Sequence, residues 1–415
     1  MKITVSAALS GAEITSLEAE PWWTLETILY RLHSLDVIQL GFRNKLFYSD
    51  KEILPGMRLS EVSSASFLAL RLIIIAERRI VTGSGDKSAK IWNASTGECL
   101  QTLVGHEDFV VFTEFSPHGT LAVTASDDGF ARIWSTETGD CLSVLGRHGS
   151  SIANAKFSSD ASCLITASTD GTAKVWDVKT TECLHTLGVS SRGLHNRCLY
   201  AAAFSPDDAL AVTVGSQGLV KVWNLDTESF CHSYEGHNDD VYSAQFSAKC
   251  DLLATASLDG MLKIWRVATG ACLITIDDNH AGIDARLSPD GLWILSSSAH
   301  GVSKIWNIET GQCVRTLQEE HGSPIHYADF SPDAALVITA SQNGTATIWT
   351  TETGRCLHRL TGHGDALNVA HFSRDGSLAV TASDDGTAKV WSVYTGECLQ
   401  TLAGHIEALE CAVFA

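Results

Sequence analysis

Three residues near the end of the chain, His363, Ser383 and Asp385, are the types from which a nucleophilic hydrolase is assembled. In such an enzyme an imidazole takes the serine proton, and a carboxylate holds the imidazole in the working tautomer. Here the trio is followed by Trp391, and the same four types recur upstream. They appear as His106, Ser126, Asp128 and Trp134; as His148, Ser168, Asp170 and Trp176; and as His237, Ser257, Asp259 and Trp265. Ser84, Asp86 and Trp92 have no histidine before them, and His405 stands unclaimed at the far end. Acyl transfer needs one such constellation, so a repeated one reads as a structural device and not as a catalytic centre. Other chemistry has less support. Gly83-Ser84-Gly85-Asp86-Lys87-Ser88 lacks the Gly-Lys-Ser/Thr ending of a phosphate loop and is followed by no helix. No Cys-x-x-Cys pair or other metal-ligand spacing occurs, so neither a metal nor a cofactor is expected.

The elements that must position these residues are short strands. Tryptophans fall at 92, 134, 176, 223, 265, 306, 349 and 391, 41 to 47 residues apart. Each interval holds a Val/Phe run such as Leu367–Phe372, a Leu-Ala-Val-Thr-Ala-Ser run, a Thr-Ala-Lys-Val-Trp run and a Glu-Cys-Leu-Gln-Thr-Leu run. Turn signals of the Ser-Pro-Asp-Gly and Asp-Asp-Gly types separate them. Four strands, here a to d from innermost to outermost, make a small sheet that cannot bury both faces alone, so units must stack. The first unit begins at strand b (Arg79–Ser84), and an unpaired strand a follows His405. Residues 408–415 are therefore expected to supply the missing strand and close a ring of eight, with His405 completing the set of Ser84, Asp86 and Trp92.

A 40–45-residue unit with Gly-His early and Trp late resembles the WD-repeat family, although only Trp176-Asp177 keeps the literal Trp-Asp pair. The resemblance implies an all-β fold, an eight-bladed β-propeller over residues 77–415. It also implies that the His, Ser, Asp and Trp of each unit form a hydrogen-bonded tetrad, with Ser and Asp oxygens accepting from the indole and imidazole. Three units depart from the set, having Ser216-Gln217-Gly218, His300 and Asn343 where Asp is expected. Partners in this family usually dock on the face formed by the d–a and b–c loops. Carried over by position, the candidates are Phe109, Tyr200, Asp240, Tyr242, His326, Asn368 and Glu410, with Asp127, Gln217, Leu258 and Asp384 before the tetrad Asp. Aromatics beside acids suit a protein or peptide carrying Lys or Arg. An insertion, Gly188–Leu194, adds Arg192 and, just beyond it, Arg197 to the same face. The run Thr-Gly-Glu-Cys-Leu-Gln-Thr-Leu-x-Gly-His is similar to WD arrays attached to signalling NTPases and ciliary assembly factors.

Residues 1–76 have a different grammar: a β-hairpin around Ser10-Gly11, a helix from Thr24 through Leu32, then strands at Lys45–Tyr48 and Phe67–Ile75. Trp22-Trp23 reads as an N-terminal staple on the helix. MKITV…SGAEIT…KLFYSDKEILPGMRLSEV…SFLALRL resembles ubiquitin, which implies a small α+β (β-grasp) domain. The equivalent of ubiquitin's apolar surface patch is Leu9, Phe47 and Arg71. No diglycine follows Ile73-Ile74-Ile75-Ala76, so the domain is expected to be an integral module.

With 29 Lys+Arg against 48 Asp+Glu, the formal charge is −19, which disfavours nucleic acid and anionic lipid as partners. No apolar run is long enough to span a membrane, and no signal-peptide h-region opens the sequence. Eight of twelve cysteines (Cys99, Cys141, Cys183, Cys231, Cys272, Cys313, Cys356 and Cys398) share one repeat position, too far apart to bridge. They are expected to be small buried residues in a reducing compartment, cytoplasmic or nuclear. The combined expectation is a non-catalytic scaffold binding proteins or peptides. The alternative is a substrate-recognition or adaptor subunit of the ubiquitin–proteasome system acting through residues 1–76.

Overall fold

The computed structural model describes residues 78–415 except 189–197, 228, 279–281, 299 and 319–321, and the backbone of five strands within residues 2–76. The chain divides into two compact units, Met1–Arg78 and Arg79–Ala415.

In the first unit one sheet has the strand order Glu13–Glu18, Lys2–Ala7, Phe67–Ala76, Phe42–Tyr48, Lys51–Glu52. Lys2–Ala7 and Phe67–Ala76 run parallel; the other pairs are antiparallel. Phe47 stands opposite Arg71 in this register. The expected helix, Leu9 and Trp22-Trp23 lie outside the described residues, as do the side chains of Phe47 and Arg71.

The second unit is eight antiparallel four-stranded sheets, each in the order a-b-c-d. Blades are numbered here by their tryptophans, from Trp92 (blade 1) to Trp391 (blade 8). The ring closes as the phase of the repeats predicts: Leu409–Phe414 is strand a of blade 1, paired with Arg79–Ser84 from Leu409↔Ser84 to Phe414↔Ile80. An eight-bladed propeller results, with no free strand edge at the join.

Burial explains the four run types. Strand b is buried along nearly its whole length in every blade, as in Leu121–Ser126 and Leu378–Ser383, because neighbouring blades cover both of its faces. The core therefore lies between blades. Val81, Ile91 and Leu103 of blade 1 pack with Val110, Phe115, Ala122 and Trp134 of blade 2. Ile80 and Trp92 pack with Val380, Val390 and Leu402 of blade 8.

Strand d is the outermost edge and buries little beyond its fifth residue, such as Leu103 or Leu402. This corrects the expectation for the repeated cysteines. None of the twelve cysteines forms a disulfide, but Cys99, Cys141, Cys183, Cys272, Cys313, Cys356 and Cys398 are exposed and Cys231 is half-buried. The seven exposed ones open strand d where no further strand covers it, so a small apolar side chain there has nothing to pack against. Cys231 is not at their position, because in its blade Phe230 pairs with Trp223 and Cys231, one residue on, packs against the core.

Candidate functional site

Each tryptophan lies at a register shift between strands c and d, for example Ile133/Trp134 and Val390/Trp391. Such a bulge re-aims the side chain. The indole turns towards strand b, and its N–H donates to a hydroxyl ten residues upstream, a threonine in seven blades and Ser296 in blade 6. The distances are 2.9 Å for Trp92–Thr82, 2.8 Å for Trp134–Thr124, 3.0 Å for Trp176–Thr166, 2.9 Å for Trp265–Thr255 and 2.9 Å for Trp391–Thr381. The same hydroxyl oxygen lies 2.7–2.9 Å from Nε2 of His405, His106, His148, His237 and His363. On the other side of each ring, Nδ1 is 2.8–3.2 Å from Asp86, Asp128, Asp170, Asp259 or Asp385. The chain of donors has one consistent direction: indole N–H to hydroxyl oxygen, hydroxyl O–H to Nε2, and Nδ1–H to carboxylate.

The tetrad therefore contains threonine, not Ser84, Ser126, Ser168, Ser257 or Ser383. Trp134 pairs across the ladder with Ala122. Thr124 is two residues further along and Ser126 four, or about 7 and 13 Å at strand rise, so the indole reaches only the first. The serines serve the loops instead. Ser126 donates to Asp108 O (3.1 Å) and accepts from Asp128 N (3.1 Å); Ser84 does the same with Glu407 O and Asp86 N. Both offsets from Trp, ten for threonine and eight for serine, are constant in these five blades, so spacing alone does not separate them.

The aspartates play two parts. In blade 1, Asp86 Oδ2 accepts from His405 and from Ile406 N, while Oδ1 caps Ser88 N and Oγ. His405 thus completes a site on residues more than 300 positions upstream. Asn343 in blade 7 keeps the turn half of the job, accepting from Thr345 N at 3.0 Å. Blade 6 replaces the imidazole altogether. Trp306 donates to Ser296 (3.0 Å), Ser296 to Asp278 (2.8 Å), and Asp278 is ion-paired to Lys304 at 2.6 Å. The one-residue-shorter d–a loop brings Asp278 into the histidine's place, and a buried carboxylate there requires the cation.

This geometry disposes of acyl transfer. None of Ser84, Ser126, Ser168, Ser257 and Ser383 meets an imidazole; Ser88 Oγ lies 3.4 Å from His405 Nδ1 but donates to Asp86 at 2.6 Å. The five histidine side chains are at most 1% exposed. Burial is the main influence on each ring and holds its proton affinity below the usual 6.5 despite the adjacent carboxylate. Burial would raise the aspartates, but their hydrogen bonds outweigh it and hold all five below 3.8, Asp385 at about 2.

The sign for stability follows from both shifts. Between the folded and unfolded titrations the unfolded chain binds more protons, so acid favours unfolding. Stability should be flat above about pH 6.5 and fall below it, each imidazole contributing up to about 1.4 kcal/mol per pH unit. Melting at pH 7.5 and 5.5 checks this: the midpoint should be lower at 5.5, and an equal or higher one would refute neutral buried tetrads.

The face bearing the d–a and b–c loops holds the other candidates. Phe109 is 43% exposed. Tyr200 and Tyr242 stack with centroids 4.5 Å apart, and Tyr200 Oη donates to Asp240 (2.8 Å), which also accepts from Gln217 N. His326 and Asn368 are turned to the next blade, contacting Leu367 O (3.1 Å) and donating to Leu409 O (2.9 Å) respectively. Tyr200, Tyr242, Asn368 and Glu410 line one cavity of about 330 Å³ along the axis. Deeper in it, charged residues that the sequence left unremarked tie blades 6 to 8: Arg286 lies 5.1 Å over Tyr327 and pairs with Asp284, and His371 meets Asp329. Arg192 and Arg197 lie outside the described residues. Among the described residues no cluster of three His, Cys, Asp or Glu could hold a metal ion, and no helix is long and apolar enough to cross a membrane.

Comparison with known proteins agrees with the geometry. The family described as "WD domain, G-beta repeat" matches residues 97–135, 139–177, 181–224, 228–266, 270–307, 311–350 and 354–392. Strands a, b and c of blade 1, which come from the two ends of the propeller, fall outside these segments. A similar segment occurs in an uncharacterized WD repeat-containing protein of Schizosaccharomyces pombe (61% identical over 33 residues, 8% of this chain and 9% of that one). Others occur in the nuclear distribution protein PAC1 of Mycosarcoma maydis (44% over 45 residues; 11% and 10%) and the Lissencephaly-1 homolog of Heterostelium pallidum (50% over 40 residues; 10% and 10%). The chain thus spans about a tenth of each relative's length, roughly one repeat. The crystal structure of the computationally designed Ika8 protein is similar at a TM-score of 0.67 and 29% identity, covering 76% of this chain and 93% of that one.

Proposed function

The chain belongs to the WD-repeat family, and from that premise we propose that it is a non-catalytic adaptor holding protein or peptide partners on the d–a/b–c face of its propeller. The observation that carries this reading is that every catalytic-looking tetrad is spent internally, while the same loops leave apolar side chains uncovered: Phe109 at 43%, Leu258 at 37% and Ile406 at 88% exposure. Exposed apolar groups beside acids suit a protein partner with basic residues. The −19 charge argues against nucleic acid and anionic membrane as partners, and free thiols suit a cytoplasmic or nuclear setting. The one-repeat matches to PAC1 and Lissencephaly-1 homologs support a protein-binding role without carrying their processes over.

Full-length protein with Phe109→Glu, Leu258→Glu and Ile406→Glu together should melt like the wild type and lose at least tenfold in recovery of its co-purifying proteins. Unchanged recovery would sink the reading. A second reading, an adaptor in the ubiquitin–proteasome system, is supported by the ubiquitin-like pattern of residues 1–76 and by the parallel pairing of Lys2–Ala7 with Phe67–Ala76. Selective loss of proteasome or ligase subunits on Phe47→Ala is its distinguishing mark.

A further inference from the structure

The axial cavity has two chemically opposite walls at its mouth. On one side, the Tyr200–Tyr242 stack joins blades 4 and 5, with Tyr200 fixed by its bond to Asp240. On the other, Glu410 projects from strand a of blade 1, flanked by Asp384 of blade 8 and Asp127 of blade 2. In a ring of eight, the junction of blades 4 and 5 faces the junction of blades 8 and 1. Tyr200, Tyr242 and Glu410 line the same cavity, which also carries Lys156 and Arg286. Burial, then the negative charge of Asp384 and Asp127, makes Glu410 harder to ionise than an ordinary carboxyl. Asn368 Nδ2 donates to Asp384 (2.7 Å) and to Leu409 O, which ties the acidic wall to the backbone. Among the described residues no Lys or Arg forms an ion pair with these three carboxylates.

We propose that this mouth is a clamp for a cationic side chain, arginine above all, presented by a peptide segment of the partner. The inference rests on the adaptor reading and names the chemistry of what the face holds. A guanidinium fits both walls: its face lies against a tyrosine ring and its edge donates to the carboxylates. It also relieves the crowding of three like charges. A bare metal ion fits less well, because the carboxylates do not converge in metal-binding geometry and an aromatic wall offers it no ligand. A free small amine would leave the rim unused, where exposed Phe109, Leu258 and Ile406 can cover residues flanking the cation.

The test uses the full chain and the probes N-acetyl-Leu-Arg-Leu-amide and its neutral isostere with citrulline in place of arginine, titrated calorimetrically. The arginine peptide should bind at least tenfold tighter than the citrulline peptide, and weaken as salt is raised. Glu410→Gln and Tyr242→Ala should each cost tenfold or more with the melting midpoint unchanged. Tyr242→Leu, which fills the space without an aromatic face, should bind as poorly as Tyr242→Ala and so separates a recognition role from a packing role. Equal binding of the two peptides, wild-type binding by both Glu410→Gln and Tyr242→Ala, or displacement of the arginine peptide by equimolar calcium would each overturn the clamp. If the clamp fails while the Phe109/Leu258/Ile406 variant still loses its partners, only the inferred occupant is wrong; if both fail, the adaptor reading falls with it.

Discussion

Removal of residues 408–415 should abolish the cooperative unfolding transition of the propeller, not merely lower its midpoint by a few degrees. Leu409–Phe414 is the innermost strand of blade 1, and Leu409, Ala412 and Phe414 are buried between blades 1 and 8. Leu and Phe truncations in cores cost roughly 2–5 kcal/mol each, and the deletion also leaves the edge of Arg79–Ser84 unpaired. It removes Ile406-Glu407's anchorage to Asp86 and Ser84 only indirectly, since those residues remain. The summed loss rivals the ~5–15 kcal/mol by which a domain is normally stable. Denaturant titration with hydrogen exchange at Arg79–Ser84 reads the outcome. A truncated chain that still unfolds in one sharp transition, with those amides protected, would mean that the ring does not need its clasp. The milder His405→Ala removes the pin and keeps the strand. It should cost about 1–3 kcal/mol, because Asp86 and the Thr82 hydroxyl lose their shared partner in a buried place.

Thr124→Val should cost roughly 2–6 kcal/mol, while Ser126→Ala should cost about 0.5–1.5 kcal/mol. Valine preserves the volume of threonine, so the larger figure is not a cavity effect. It comes from leaving two buried groups without partners at once, the Trp134 indole N–H and the His106 Nε2, each worth about 1–3 kcal/mol. Ser126 holds only a loop carbonyl and the Asp128 amide near the surface. Urea unfolding of the two variants side by side decides the matter. A serine variant as damaged as the threonine variant would return the serine to the tetrad.

The same contrast shows what was legible beforehand. The tryptophan spacing, the four run types and the missing strand at the front were enough to place eight blades and the join between Leu409–Phe414 and Arg79–Ser84. They could do so because strand alternation and turn chemistry are local, and a repeat displays the same local rule eight times. The sequence also marked Tyr200, Asp240, Tyr242, Asn368 and Glu410 as face residues. Four other facts needed the tertiary structure. Choosing Thr124 over Ser126 depends on how far an indole reaches across a ladder, and both residues look alike in an Ala-Val-Thr-Ala-Ser run. The cysteines of strand d are exposed because of what the fold leaves uncovered, which their apolar character does not reveal. Asp278 replaces a histidine because one deleted residue moves it into register with Ser296 and Lys304. The tyrosine stack faces the carboxylates only because the ring has eight members, which sets residues some 200 positions apart across one cavity. Local pattern fixes which strands form and in what order. Distances across the axis follow from closure, where contacts between remote segments decide which side chains meet.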